Sequence, residues 1–494
     1  MTQLMPCCYN YILEGQMKTY QDLQEAIAKG TVGEFLRDAV KDHMGSKAYK
    51  NAVVGMAYYN KRNPTIEQME KTIFTLSGNK TRDIWSSDYR LKTLMFRRLV
   101  TQEAGYILAN GVTMDGKDKL GRDIDNKLQQ AAKLALAQGV AYGYWNLDHL
   151  EVFSFADTPG NPGFAPLPDE NTSELMAGIR YWFRDVGNKQ LFRATLYEPD
   201  GISEWSAMGS DPAQQMAEKR GYVLKEIGND LGIVDQCYEN YTRLPIAVLY
   251  GNDTHESEIV GLRESIDCYD FVKSGFANQI DASGVYWLLK NTGAMDDPDL
   301  AKFVQRIRSV RAAAVEGDGD GGADATPVTL DVPVEARKTM LDILRRDLYE
   351  DAQMLDVAAL AGAEKTATEI AAAYQPQDNK CADFEYFLID FICQICAVAG
   401  IDNPEPSFQW NKVINQAEET NMILSAAEFL DDETILNHLP FILPEEVPDI
   451  LRRRDEADMK RMGALENQLL QNTQQLQENQ EEQKERQEQQ PPEG

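Results

Sequence analysis

Lys302, Arg306, Arg308 and Arg311 form a compact basic cluster. Lys302 and Arg306 stand one helical turn apart, so their charged ends can share a face and grip carboxylates or phosphates. The same pattern also describes an ordinary solvated helix face. Gly317, Gly319 and Gly322 match GxGxxG, but no strand precedes them and Pro327 follows. A dinucleotide site needs strand, turn and helix to aim backbone amides at a pyrophosphate. Asp318, Asp320 and Asp324 lie in the same loop, yet the twelfth position, where a calcium loop needs a bidentate Glu, is Thr329. Lys365-Thr366 follows Gly362 without the GxxxxGK[ST] spacing that cradles phosphate. Cys393 and Cys396 form CxxC on an apolar stretch, without a second ligand pair to complete a zinc site, and they read as buried thiols. His43, His149, His255 and His438 are scattered, with no HExxH or triad-like context. These residues offer no catalytic, metal or cofactor site.

The elements that must position such residues change in texture along the chain. Residues 31–59 are periodic as a helix and end at the breaker Asn60-Lys61-Arg62-Asn63-Pro64. Residues 88–106 read as a helix entered through Ser86 or Ser87, and 123–139 as one that stops at Gly139. Between 151 and 250 short β-type runs alternate with Pro and Gly turns, and 244–250 is a strand turning at Gly251. From 256 to 281, Ile259, Leu262, Ile266, Tyr269, Phe276 and Ile280 keep a helical period. Residues 335–356 repeat it with Leu341, Leu344, Leu348 and Leu355. Between these helices lie strand-like 285–289, the basic helix 302–311, the loop 317–327 and strand-like 328–330. An Ala-rich helix over 366–374 is expected to stop at Pro376. A weak heptad seam at Met462, Leu465, Leu469 and Leu476 fades into a Gln/Glu-rich end, the last dozen residues of which read as disordered.

At 494 residues the chain exceeds one core, and 43% apolar content suffices to bury several structural units. Acidic residues outnumber basic ones 79 to 49, a net charge of -30 that opposes wrapping of DNA by a basic surface. It suits a surface past which DNA must slide. The start at Met1–Tyr11 lacks the pattern of a signal peptide, seven cysteines read as reduced thiols in a cytoplasm, and 384–401 is interrupted by Glu385, Asp390 and Gln394. The expectation is a chain without a membrane span.

The order of these segments resembles the portal proteins of tailed bacteriophages, in particular the siphovirus type common in phages of Gram-positive hosts. Glu103-Ala104-Gly105-Tyr106-Ile107-Leu108 is similar to the end of that family's helix before a glycine turn. Residues 137–145 resemble its GxAYxY stretch, and Ile179-Arg180-Tyr181 its IRY strand. Leu244-Pro245-Ile246, Asn252 and 262–270 resemble a run that continues with Ser274 and Asn278. Thr366-Ala367-Thr368-Glu369-Ile370 resembles the TATEV segment, and Asp432-Glu433-Thr434-Ile435-Leu436 falls in a crown-like pattern.

The resemblance implies an α+β portal fold, mostly α-helical, with wing, stem, clip and crown, assembling as a ring that is typically a dodecamer. On that template residues 1–255 are the wing, to which 366–415 add the tunnel helix and further wing helices and a strand. Residues 256–281 and 334–356 are the stem helices, 282–333 the clip, 357–365 the tunnel loop, 416–480 the crown and 481–494 a disordered tail. The tunnel loop would comprise Val357, Ala358, Ala359, Leu360, Ala361, Gly362, Ala363, Glu364 and Lys365. By composition alone the same run could continue the preceding helix, since alanine is the best helix former and only Gly362 interrupts it. Lys302, Arg306, Arg308 and Arg311 become candidates for contact with the terminase large subunit. The implied function is a non-enzymatic conduit for packaging and ejection of double-stranded DNA, without a cofactor. Its further partners would be the major capsid and scaffolding proteins and a head-tail adaptor. Its place would be the capsid vertex of the virion, after assembly in the bacterial host cytoplasm. The alternatives are a phage ring adaptor or minor head protein, or a nucleic-acid-processing enzyme of a mobile element.

Overall fold

The computed structural model describes residues 17–70, 72–74, 80–82, 87–229, 232–281, 285–290, 298–299, 302–303, 305–306, 324–329, 333–360 and 367–412. Beyond these it describes 423–464 apart from 426, 428–429, 440–441, 443–446 and 458. The fold is α+β, and the chain divides into two compact units, Met1–Ala363 with Ala372–Asn411, and Glu364–Ala371 with Lys412–Gly494. The Gly-rich loop at 317–323, Arg308, Arg311 and the heptad-like tail lie outside the described residues.

In the first unit, Thr19 and Asp22 form a capping box that starts α1 (Tyr20–Lys29). The stretch read as one helix over 31–59 is two, α2 (Val32–Gly45) and α3 (Lys47–Tyr59). Ser46 makes the break: its backbone is extended, and its hydroxyl accepts from Tyr49 N and donates to the His43 carbonyl. Asn63 caps the short α4 (Pro64–Glu67), and β1 (Thr72–Phe74) pairs with β2 (Lys80–Arg82). Next come α5 (Met95–Leu108), β3 (Val112–Thr113) and α6 (Ile124–Gln138). Gly139 ends α6 with φ +93°, where a Cβ would sit 2.4 Å from the His255 carbonyl oxygen, so the stop read there has both a backbone and a packing cause.

The β-rich region is built from β4 (Val140–Asn146), β5 (His149–Ser154), β6 (Gly163–Pro168), β7 (Leu175–Val186), β8 (Lys189–Glu198), β9 (Gly201–Met208) and β10 (Gln214–Gln215). A separate hairpin, β11 (Val223–Asn229) with β12 (Gly232–Glu239), precedes β13 (Ile246–Tyr250). Eight strands form one sheet in the order β10-β9-β8-β7-β6-β5-β4-β13, antiparallel except at the single β5–β6 bridge. Leu23, Leu36 and Val40 of α1 and α2 bury against Leu167, Ile179, Tyr181 and Phe192 of the sheet. A second cluster joins Tyr49 and Ala52 of α3 to Tyr142, Tyr144, Phe153 and Phe164. Aromatic side chains carry large apolar area each, so a few of them fill much of the contact between α3 and the sheet.

Two long helices follow, α7 (Ile259–Asp281) and α8 (Val334–Asp351). Between them β14 (Val285–Lys290) and β15 (Asp324–Thr329) pair antiparallel, and 302–303 and 305–306 are helical. After α8 come the helical turn α9 (Val357–Leu360) and α10 (Ala367–Ala399), with β16 (Ser407–Phe408) pairing with β3. In the second unit Asp431 caps α11 (Asp432–His438), its carboxylate accepting from Thr434 N, and 447–457 and 459–464 are helical. No helix among the described residues is long and apolar enough to cross a membrane.

Candidate functional site

The helix pair α7/α8 and what lies at its two ends hold most of the residues singled out in the sequence. Arg345 of α8 lies near Tyr269 of α7, and Arg337 approaches Gly275, so the helices run antiparallel. Their paired faces are apolar as the periodicity requires, but Phe271, Ile280, Met340 and Ile343 remain 39% to 57% exposed. At the far end, the hairpin β14/β15 carries the tip. Lys302 and Arg306 are both exposed one turn apart, Phe303 beside them is buried, and Lys302 pairs with Asp299 at 3.1 Å. A buried phenylalanine under an exposed cationic face is what an amphipathic tip helix needs.

The C-terminal half of α7, toward the tip, is gripped by a segment expected from the sequence to be helical. Residues 87–94 are not helical, and α5 starts at Met95. Asn278 Oδ1 accepts from Tyr89 N at 2.7 Å, Ser274 Oγ from Leu91 N at 2.9 Å, and Asp270 Oδ1 from Thr93 N at 3.0 Å. The fit is geometric. One step of four residues along a helix rises about 6 Å, and two residues of extended chain span about 6.6 Å, so every second amide meets the next polar side chain. Asp270 is fully buried, which pushes its carboxyl above the usual range, while bonds from Thr93 and Asn63 draw it back. Asp267 completes the stripe by accepting from Tyr58 Oη at 2.6 Å and Asn63 Nδ2 at 2.9 Å. Ser274 and Asn278, noted in the sequence only as part of a resemblance, are thus side-chain acceptors for the backbone amides of an extended strap.

The second stem-like helix was expected to reach 356, but α8 ends at Asp351. Gln353 turns the chain with φ +55°, a left-handed conformation that no side chain prefers. Val357–Leu360 is a separate turn, so these residues do not continue α8, and 361–365 lie outside the described residues. Val357 is 61% exposed, and Ala358 N donates to Asp356 Oδ1 at 3.1 Å.

The helix expected to stop at Pro376 instead continues through it to Ala399. Proline costs a helix interior about 3 kcal/mol by losing one bond and crowding the preceding turn. Contacts within a turn of it offset that cost. Tyr374 stacks on Tyr106 at 6.0 Å, Tyr106 Oη donates to the Asp378 carboxylate, and Lys380 Nζ pairs with Glu103 at 3.0 Å and Glu258 at 2.8 Å. Burial drives the Glu103 carboxyl up to about 7, with Glu258 adding to the rise and Lys380 opposing it. Burial works against the Lys380 ammonium, but its two carboxylates outweigh it and hold its pKa above the usual lysine value. These partners are far apart in the chain, and nothing in the sequence pattern pairs them.

The CxxC pair sits on α10, where burial pushes Cys396 up to about 11, with Cys393 adding to the rise, so this thiol is a poor nucleophile or metal ligand at neutral pH. Gln394, read as a polar interruption, accepts through its Oε1 from Val248 N at 3.0 Å on the edge strand β13. Among the described residues no group of His, Cys, Asp and Glu is arranged to hold a metal ion.

Three comparisons bear on this architecture. The family described as phage portal protein, SPP1 Gp6-like, matches residues 39–489. A portal protein of Clostridium phage phiCD119 is 23% identical over 210 residues, which is 41% of this chain and 46% of that one, so the match spans less than half of that relative. A crystal structure of an HK97-family phage portal protein from Corynebacterium diphtheriae shares 11% identity over 64% of this chain and 91% of its own, with a TM-score of 0.31. The family match covers nearly the whole chain, from within α2 past the last described helix, and on that extent the chain belongs to the SPP1 Gp6-like phage portal proteins.

Proposed function

We propose that the chain is one subunit of a closed ring that conducts double-stranded DNA into and out of a phage capsid. The family match over 39–489 carries this reading. In it, α7 and α8 are the stem, 282–333 the clip, 357–365 the tunnel loop and 416–480 the crown, with the eight-stranded unit as the wing. The apolar side chains left exposed on the helix pair, Phe271, Ile280, Met340 and Ile343, support a neighbouring copy along the stem. A net charge of -30 supports a lumen past which phosphate slides rather than sticks. The ring takes no part in bond making. It docks the terminase large subunit through the clip during packaging, contacts capsid and scaffolding proteins at the vertex, and afterwards carries the head-tail adaptor. Native mass measurement of the purified protein should return a single closed ring, typically a dodecamer, that dissociates on Phe271→Glu with Ile343→Glu. A monomer at every concentration and salt tested would overturn the reading.

A further inference from the structure

The five residues between α8 and α9 are held by a dense set of hydrogen bonds. Ala352 O accepts from Lys380 Nζ at 3.2 Å, and Met354 N reaches back to the Tyr349 carbonyl at 2.9 Å. Leu355 is bracketed by two side-chain amides: its N–H donates to Gln377 Oε1 at 3.1 Å, and its carbonyl accepts from Gln102 Nε2 at 2.9 Å. The two glutamines also meet each other at 3.3 Å. Asp356 accepts from Arg345 at 2.9 Å and from Ala358 N, and so ties α8 to the turn that follows. Lys380 spends all three of its donors here, on Glu103, Glu258 and Ala352 O. Ala352, Met354, Leu355 and Gln377 are all buried. A left-handed Gln353 persists only where its surroundings over-determine it, and these contacts do so.

We propose that Lys380, Gln377 and Gln102 lock 352–356 as a rigid mount that fixes where the following segment leaves the helix pair. Any motion of the segment from Val357 onward then pivots beyond Asp356, and α10 and α5 set its starting point without touching DNA. These are positioning residues. The inference rests on the reading of 357–365 as the tunnel loop only for its consequence in packaging; the lock itself stands on the contacts above.

The test is hydrogen exchange on the full-length assembled protein, comparing wild type with Gln377→Met and, independently, with Gln102→Met. Losing one bond to a buried amide should speed exchange at 352–360 about tenfold, while peptides from 384–399 stay at the wild-type rate. Gln377→Glu, which keeps the acceptor oxygen, should restore slow exchange at Leu355. Unchanged exchange at 352–360 in both methionine variants, or a rise spread evenly along α10, overturns the lock. If either variant fails to assemble, the other carries the same measurement. Packaging is read in parallel. A variant that loosens 352–360 yet packages DNA at the wild-type rate leaves the lock standing and overturns the tunnel-loop reading instead.

Discussion

His43 sits 2% exposed on α2, with the edges of Tyr49, Phe155 and Tyr181 around its ring at 5.1, 4.6 and 5.9 Å. Its Nε2 meets the Phe155 carbonyl oxygen at 3.1 Å, and burial lowers its pKa to about 4. The unfolded chain binds a proton near 6.5, so protonation favours unfolding. Stability from this residue is complete above about 6.5 and drains away as pH falls toward 4, by about 3 kcal/mol in all. Denaturation of wild type and His43→Gln across that window should show the difference between them shrinking as pH falls; a constant difference would refute it. Glu103 has the opposite sign. Its folded pKa is raised to about 7 by burial, so its favourable contribution is complete below the ordinary carboxylate value and is lost as pH rises through 7. Wild type should therefore lose stability relative to Glu103→Gln over that interval. The sequence allowed His43 to be set aside as non-catalytic because no partner motif accompanied it. It gave no hint of Glu103, because a buried carboxylate looks like any exposed one until Lys380 is brought beside it.

Elements were legible wherever the apolar period alone decides the structure. The helices α6 and α7 fall close to their expected limits, and Gly139 ends α6 as read. Elements were misread where side chains compete with the helix for backbone groups. Ser46 splits 31–59, and Asp270, Ser274 and Asn278 claim the amides of 93, 91 and 89, the first two of which a helix over 88–106 would have used itself. Pro376 marks the converse case, a breaker overruled by the contacts of Tyr374, Asp378 and Lys380. The strap makes a distinct prediction. Ser274→Ala with Asn278→Ala removes two acceptors, each of about 1 kcal/mol, so amide exchange should rise by roughly tenfold or more over 87–93. Exchange over 98–108 should not move, because α5 closes its own ladder from Arg98 N onward. Equal loosening of both segments would show that the strap is held by packing rather than by these acceptors.

At the scale of the whole molecule, the order of blocks read in the sequence as portal-like is borne out by the family match over 39–489, although no single block carries a catalytic signature. An assembly protein has no constellation of nucleophile and base to betray it; its signal is spread over packing positions, and only their order is diagnostic. The tip tests how far that order reaches. Lys302 and Arg306 stand exposed on a cationic face in a chain whose net charge is -30, a local contrast that favours an acidic partner surface. Arg308 and Arg311 follow in the same basic run of sequence, outside the described residues. Exposed rim charges govern encounter and choice of partner more than the fold of the protein that bears them. Reversing Arg306, Arg308 and Arg311 to Glu should therefore leave the native mass of the proposed ring unchanged, since Arg306 is exposed while its neighbour Phe303 is the buried residue. If the clip docks terminase as proposed, the reversal should slow terminase association at least tenfold, because like charges would then face each other, and raising the salt should narrow the gap between variant and wild type as both fields are screened. Terminase binding at the wild-type rate in low salt would place the docking surface elsewhere on the ring.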